Sequence, residues 1–327
     1  MQNFKPFVSI IIPAFNSGKM LGQAIEACIG QDYPRDKLEV IVVDDGSIDD
    51  TKGVVKNFGV SYIHQESSGP ASARNNGWKN SKGEAIFFTD ADCIPGKDCL
   101  AVMVKSLCDK NVDAVAGTYD IKNIEDIMAR CIHAEIMFRH LRMPDYINSF
   151  GTYNVLIKKA ILEEFSGFNE DYLTSSAEDS ELSYRMVKKG YRIYFERKSI
   201  VSHFHEKKLH RYLKKQFTRS FWAIKLWRHH PGFALNDYYL YWKDLAEIPV
   251  AVMIILTLPL LFLNFIRIFF IVLLAAYIAL QIIIPLKIYS KKLYKKDFFF
   301  MFFMMFARGF TRVFGGALSL IKNRSIK

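Results

Sequence analysis

Two short runs of this 327-residue chain set carboxylates side by side, Asp44-Asp45-Gly46-Ser47 and Asp90-Ala91-Asp92. Clustered acids repel one another unless a cation joins them. Oxygen ligands of this hard type select Mg²⁺ or Mn²⁺, ions that commonly bridge substrate phosphates. An Asp-x-Asp alone is a weak signal, because it arises by chance and acids also cap helices. Its weight here comes from position. Each run directly follows a continuous apolar stretch, LEVIVV at 38–43 and AIFFT at 85–89, and a third stretch, FVSIIIP at 7–13, leads into Ala14-Phe15-Asn16.

Apolar runs of this length mark strands buried on both faces. Ser61–His64 and Val112–Gly117 read as two further strands, with helix-length segments at 18–29, 51–57, 71–80 and 98–110. Strands alternating with helices predict an α/β fold with a mostly parallel sheet and right-handed crossovers. Such sheets bind ligands at the carboxyl ends of their strands, where the acidic runs lie. No Gly-x-Gly-x-x-Gly follows the first strand and no Gly-x-x-x-x-Gly-Lys-Ser/Thr occurs. That argues against a dinucleotide oxidoreductase and a P-loop NTPase.

From Val8 to His203 the residues resemble the family 2 glycosyltransferases. The pieces occur in order: VSIIIPAFN at 8–16, VVDDGSIDDT at 42–51, GPASARNNG at 69–77, TDADC at 89–93, GFNE at 167–170 and AEDSELSYRMVKKGYRI at 177–193. The resemblance implies a GT-A fold, a Rossmann-like nucleotide-diphospho-sugar transferase domain. It also implies an enzyme of the hexosyl- or N-acetylhexosaminyltransferase class. Asp45 would bond the nucleotide base, with Asp44 and Asn16 beside it and Pro13 and Phe15 lining the base pocket. Asp90 and Ala91 would lie against the donor, with Asp92, Asp90 and His203 on the metal. Arg74 would sit near the nucleotide or diphosphate. Asp179 would be the general base, with Glu178 its neighbour at the acceptor site.

Blander roles compete with each of these. Asp44, Ser47, Asp49 and Thr51 also suit turn and cap duties. Acids opening a helix, as in EDSELSYRMVKKG, are favoured by the helix dipole without any chemistry. His205 stands two residues beyond His203 as a rival ligand, and Arg74 also suits a surface helix. Cys93 and Cys99 read as packing. The FGTYN segment at 150–154 is expected to precede a helix and to floor the acceptor site.

The charge is uneven. Of the net +11, Lys287–Lys327 carries +9 and His205–Arg228 carries +7, which leaves −5 for the rest. Between these basic collars lie two uncharged 19-residue runs, Ile248–Ile266 and Ile268–Leu286, separated by Arg267. At about 1.5 Å per residue each nearly spans the ~30 Å of bilayer hydrocarbon. They predict a transmembrane hairpin whose basic ends mark the cytoplasmic side. The mean hydropathy of +0.06 agrees with a partly membrane-embedded chain. The segment from Leu209 to Trp227 reads as a basic amphipathic interface helix. Asp297–Ile321 reads as a second interfacial helix with Arg308 and Arg312 toward head groups; the alternative is a third span. Gln216 and Arg219 resemble the start of the Gln-x-x-Arg-Trp element of processive synthases, but Ser220 replaces the Trp. Five cysteines with no Cys-x-x-Cys fit a reduced compartment. The start of the chain reads as a strand and predicts no cleavable leader.

The expected organisation is a catalytic domain over 1–205, a basic interface segment over 206–245, a hairpin over 246–290 and a basic tail over 291–327. The expected activity is an inverting, metal-dependent transfer from a nucleotide-diphosphate sugar to a lipid-linked or cell-surface glycan acceptor. UDP is favoured as the donor base, Mg²⁺ or Mn²⁺ is the cofactor, and the partners are membrane lipids rather than nucleic acid. The alternatives are a processive synthase subunit and a non-catalytic donor-binding scaffold.

Overall fold

The computed structural model describes residues 5–174, 176–233, 235–289 and 295–322. The chain forms two compact units. One holds the chain to Lys122 and then Met143–Phe204; the other holds Asn123–Arg142 and the chain from His205 onward.

The first unit opens with β1 (Val8–Ala14), α1 (Gly18–Ile29), β2 (Leu38–Asp44), α2 (Thr51–Lys56), β3 (Ser61–His64), α3 (Pro70–Lys79) and β4 (Ala85–Thr89). It continues with β5 (Cys93–Pro95), α4 (Cys99–Asp109) and β6 (Ala114–Ile121). The chain then passes through α5 (Ile127–His140), which belongs to the second unit. It returns as β7 (Tyr146–Ile147), β8 (Asn154–Lys158), α6 (Lys159–Glu164), α7 (Glu178–Lys188) and β9 (Ile193–His203).

These strands make one sheet in the order β3-β2-β1-β4-β8-β6-β9-β5, with β7 on β9. The half built from β1 to β4 is parallel, as the apolar runs predict. The other half is mixed, because β8 runs antiparallel between β4 and β6 and β5 antiparallel on β9. FGTYN thus leads into a strand, β8, and not directly into a helix. Alternating side chains serve both faces. Val8, Ile10 and Ile12 of β1 join the core that includes Leu21 and Ile25 of α1, whereas Ile11 joins the core under α3 and α7. Helix α3 lies so close that a Cβ on Gly77 would come within 2.4 Å of Ile11 Cγ2.

The second unit adds α8 (Leu209–His229), α9 (Trp242–Thr257), α10 (Asn264–Tyr289) and α11 (Lys295–Lys322) to α5. Helix α5 belongs here because Met128 and Cys131 pack with Tyr212, Ile284, Met301, Met304 and Met305. The expected domain over 1–205 includes this helix, which the contacts assign to the second unit. Helices α10 and α11 are long and apolar enough to cross a membrane. The break between the apolar runs falls at a short 3₁₀ turn, Leu258–Leu260, and not at Arg267, which lies in the first turn of α10. Pro259 in that turn supplies the reason, since it lacks the N–H that would continue α9.

Arg308 and Arg312 differ most from expectation. Both turn inward, and Arg308 is buried. Arg308 Nη1 donates to Glu135 Oε2 at 2.6 Å, and Arg312 Nη1 donates to Asp244 Oδ1 and Glu247 Oε1, each at 3.1 Å. Gln216 Oε1 accepts from Arg312 Nη2 at 2.9 Å, so this residue has a structural partner in α11. Carboxylates from α5 and α9 offset the cost of burying the two cations. Only tertiary packing could bring them there, since Glu135 lies 173 residues from Arg308.

Candidate active site

The ends of β1, β2 and β4 carry three turns, and each fixes part of a cleft. At the end of β1, Asn16 takes a positive φ of 50°. Its N–H donates to Ser47 Oγ at 2.8 Å and its Oδ1 accepts from the Ile48 N–H at 2.9 Å. Phe15 stays exposed beside it and Pro13 is half-buried. Asp49 accepts from the Gly18 N–H at 3.0 Å, which ties α1 to the same turn. Asp49 and Thr51 thus shape the turn, as their residue types suggest.

Asp44 is buried and accepts from Tyr62 Oη at 2.7 Å and the Ser47 N–H at 2.9 Å. Burial raises its pKa, but these bonds to the charged form outweigh it and hold the carboxyl below its ordinary value. Asp45 accepts from Gln65 Nε2 and the Ser68 N–H, each at 2.8 Å, and from the Gly69 N–H at 2.9 Å. Both of its oxygens therefore hold the 65–69 loop, where the sequence suggested a contact to a base. That loop delivers the chain to α3 through Gly69, whose φ of +94° suits glycine.

Arg74 on α3 is the centre of the site. It is 1% exposed. Nη2 donates to Asp90 Oδ1 at 2.9 Å and Nη1 donates to Glu178 Oε1 at 2.8 Å. Its carbon plane lies 5.9 Å from the centre of the Phe168 ring. Glu178, the first residue of α7, is fully buried, and its other oxygen accepts from the N–H groups of Ser176 and Ala177 at 2.8 and 3.0 Å. Asp179, the next residue, is half-buried, accepts from the Ser180 N–H at 2.8 Å and lies near enough to Arg74 to favour its charge. Of the two acids that open α7, Glu178 is thus the one that anchors the helix to Arg74.

Asp90 and Asp92 end the β4 turn, with Ala91 buried between them. Burial and the charge of Asp92 push the Asp90 carboxyl above its ordinary value, against the pull of Arg74. Asp92 Oδ2 lies 3.3 Å from Nε2 of His203, the last residue of β9. His205 belongs to the second unit and sits 5.6 Å from His133, so the pairing with Asp92 falls to His203. Asp92 and His203, with Asp90 beside them, offer an O/N donor set that fits a divalent cation. Tyr119, Cys93, which read as packing, and Tyr153, from the FGTYN segment, complete the surroundings. Tyr119 and Tyr153 stack at 3.5 Å, with Tyr119 5.1 Å from His203, and Cys93 Sγ lies 3.7 Å from Asp92 Oδ1. Burial, with Asp92 and Asp90 adding to it, pushes the Cys93 thiol well above its usual range. Strand pairing supplied this group, and no spacing rule in the sequence could have found it.

Residues 9–156 match the family model described as Glycosyl transferase family 2, and residues 85–284 match that of Glycosyl transferase family group 2. The chain is 30% identical over 236 residues to the glycosyltransferase AglE of Haloferax volcanii, covering 69% of this chain and 76% of that protein. It is 26% identical to a dolichyl N-acetyl-α-D-glucosaminyl phosphate 3-β-D-2,3-diacetamido-2,3-dideoxy-β-D-glucuronosyltransferase of Methanococcus voltae, covering 67% of this chain and 73% of that one. The mannosyltransferase PcManGT of Pyrobaculum calidifontis, solved with GDP-Man and Mn²⁺, aligns with a TM-score of 0.66 at 22% identity. That alignment covers 99% of this chain and 89% of the other and supports the GT-A fold.

Proposed function

We propose that this chain, which belongs to glycosyltransferase family 2 and is a glycosyltransferase, transfers a sugar from a nucleotide-diphosphate donor to a lipid-linked glycan acceptor, with inversion, at the cytoplasmic face of a membrane. One observation carries the reading: Arg74 joins Asp90, at the donor end of the sheet, to Glu178, the neighbour of Asp179. The acids of the donor site and the base are thereby held in one rigid arrangement.

The roles proposed are those the resemblance implies, placed on these residues. The turns after β1 and β2, shaped by Asn16, Asp44 and Asp45, form the wall for the nucleotide, with Phe15 exposed to stack on a base. Asp92 and His203 would hold Mg²⁺ or Mn²⁺, which when bound neutralises charge on the departing diphosphate. Asp179 accepts the proton of the acceptor hydroxyl as its oxygen attacks the anomeric carbon. One base and no protein nucleophile gives a single displacement, so the anomeric configuration inverts. UDP remains the favoured donor carrier.

The second unit supports a membrane acceptor, as does the dolichyl-linked substrate in the name of the Methanococcus voltae relative. Helix α10 has the length and apolarity of a span. Helix α11 we place in the membrane plane. Its exposed apolar residues include Phe299, Phe303, Phe314, Ala317, Leu320 and Ile321, gathered on the side away from the buried Arg308. Its partner α8 packs so tightly that a Cβ on Gly315 would lie 2.3 Å from the Phe217 carbonyl oxygen. Outward, α8 exposes Arg211, Lys214, Lys215 and Arg219. Each would cost about 2.5–3.5 kcal/mol at the bilayer centre, which a head-group position avoids.

The test is donor hydrolysis by the full chain in detergent across UDP-, GDP-, CMP- and dTDP-sugars, with Mn²⁺ or EDTA. Metal-dependent release from one donor, abolished in Asp92→Ala and Asp179→Asn, is the expected result. A protein that binds a donor and never turns it over would instead be a scaffold that kept the fold.

A further inference from the structure

We propose that Cys93 is a third ligand at the Asp92–His203 site, which gives the site a preference for Co²⁺, Zn²⁺ and Cd²⁺ over Mg²⁺. The inference rests on the reading of Asp92 and His203 as a metal pair and completes its donor set. Among the described residues, Asp92, Cys93 and His203 form a group whose ligand atoms all lie within 4.8 Å of one another.

Strand register builds this group. Cys93 opens β5, which runs antiparallel to β9 with Cys93 directly opposite His203. Residues paired across an antiparallel ladder project from the same face, so the thiol and the imidazole meet. Asp92 precedes Cys93, and the tight Asp90–Cys93 turn folds its carboxylate back over them: the Cys93 N–H donates to the Asp90 carbonyl at 3.0 Å. The separations suit coordination. A tetrahedral ion with nitrogen and oxygen at about 2.0 Å and sulfur at about 2.3 Å spaces its donors about 3.3–3.6 Å apart. His203 Nε2 stands 3.3 Å from Asp92 Oδ2, and Cys93 Sγ stands 3.7 Å from the other oxygen, Asp92 Oδ1, so a small rotation of the carboxylate completes the set.

Burial sets the direction. Cys93 is fully buried, whereas the side chains of His203 and Asp92 keep 17% and 30% of their exposure. An ion held by the three has sulfur on the core side and its open positions toward solvent, where a substrate oxygen enters. Carboxylate and water ligands suit Mg²⁺; a thiolate shifts preference toward softer ions, and the thiol proton leaves to solvent as the ion binds. If Cys93 is only a small apolar side chain of the β1–α1 core, it leaves no mark on the bound metal.

The experiment titrates the full chain in detergent micelles with Co²⁺ and records the near-ultraviolet thiolate-to-cobalt charge-transfer band, with calorimetry alongside. The expected result is a saturable band that disappears in Cys93→Ser, with affinity lowered by about tenfold or more, on the scale of losing part of a metal's supporting shell. Asp92→Asn should lose both band and binding. Cobalt binding that Asp92→Asn abolishes but that shows no thiolate band would overturn the role of Cys93 and leave the metal pair standing. A band that survives Cys93→Ser would arise from another cysteine and would also overturn it. No cobalt binding at all would sink the inference and the metal pair together. Cys93→Ser changes one atom, and its melting temperature reports whether the fold is kept.

Discussion

Replacing Arg74 by Met isolates the clamp at the centre of the site. The substitution keeps most of the side-chain volume and removes one charge. It leaves Glu178, fully buried and without its cationic partner, in the first turn of α7. Asp90 loses a partner too, but its side chain is 29% exposed and water compensates it in part. Breaking a buried ion pair from one side costs about 3–5 kcal/mol. For a unit of this size, about 2–4 °C is lost per kcal/mol, so the melting temperature should fall by roughly 10 °C. The double variant Arg74→Met with Glu178→Gln removes both charges of the fully buried pair and should recover much of that loss, leaving only the partly exposed Asp90 without its partner. Activity should not recover with it. Asp179 adjoins Glu178, and a displacement of about 1 Å at a catalytic group costs on the order of a hundredfold in rate. Donor turnover should therefore fall about that much in both variants, while nucleotide affinity, read by calorimetry with UDP, changes far less. Two outcomes would refute the reasoning. Additive stability losses in the double-mutant cycle would mean that Arg74 and Glu178 are not coupled. A loss of nucleotide affinity with kcat unchanged would make Arg74 a ligand contact, as its place in the glycine-rich segment first suggests.

Two further predictions concern the second unit. Burial, with His133 and Arg139 adding to it, pushes the pKa of His140 down to about 3 from 6.5, so His140 is neutral when folded. Its contribution to stability is complete above about pH 6.5 and is lost as pH falls toward 3, which amounts to about 2 kcal/mol by pH 5. Melting curves between pH 7.5 and 5 should show this slope in the wild type and a flatter one in His140→Gln; equal slopes would dismiss it. Tryptophan placed at Phe303 or Phe314 should be quenched alike by lipids brominated at one shallow depth if α11 lies in the membrane plane. A spanning helix would separate the two positions by about 16 Å in depth and give them different quenching profiles.

The reach of the sequence was set by the range of the interactions involved. The first four strands and their helices were legible because each apolar run is a local fact: Val8–Ala14, Leu38–Asp44 and Ala85–Thr89 bury both faces and announce it. The acidic strand ends were legible for the same reason, and so were the turn duties of Asp49 and Thr51. The mixed half of the sheet was not, because nothing local shows that β8 slips between β4 and β6 or that α5 leaves the catalytic unit.

By itself the sequence determined the α/β class, the family, and which residues are candidates for a donor site, since residue types and local spacing suffice for each. The tertiary structure decided what those residues do to one another. It turned Arg74 into a buried tie between Asp90 and Glu178, set His203 rather than His205 beside Asp92, and brought Cys93 opposite His203 through the register of β5 and β9. It also folded Arg308 and Arg312 inward onto carboxylates from distant helices. Most of these outcomes depend on contacts between residues far apart in the chain, 104 positions for Arg74 and Glu178 and 173 for Arg308 and Glu135. Such contacts exist only once the chain has closed on itself, so no pattern along the sequence records them.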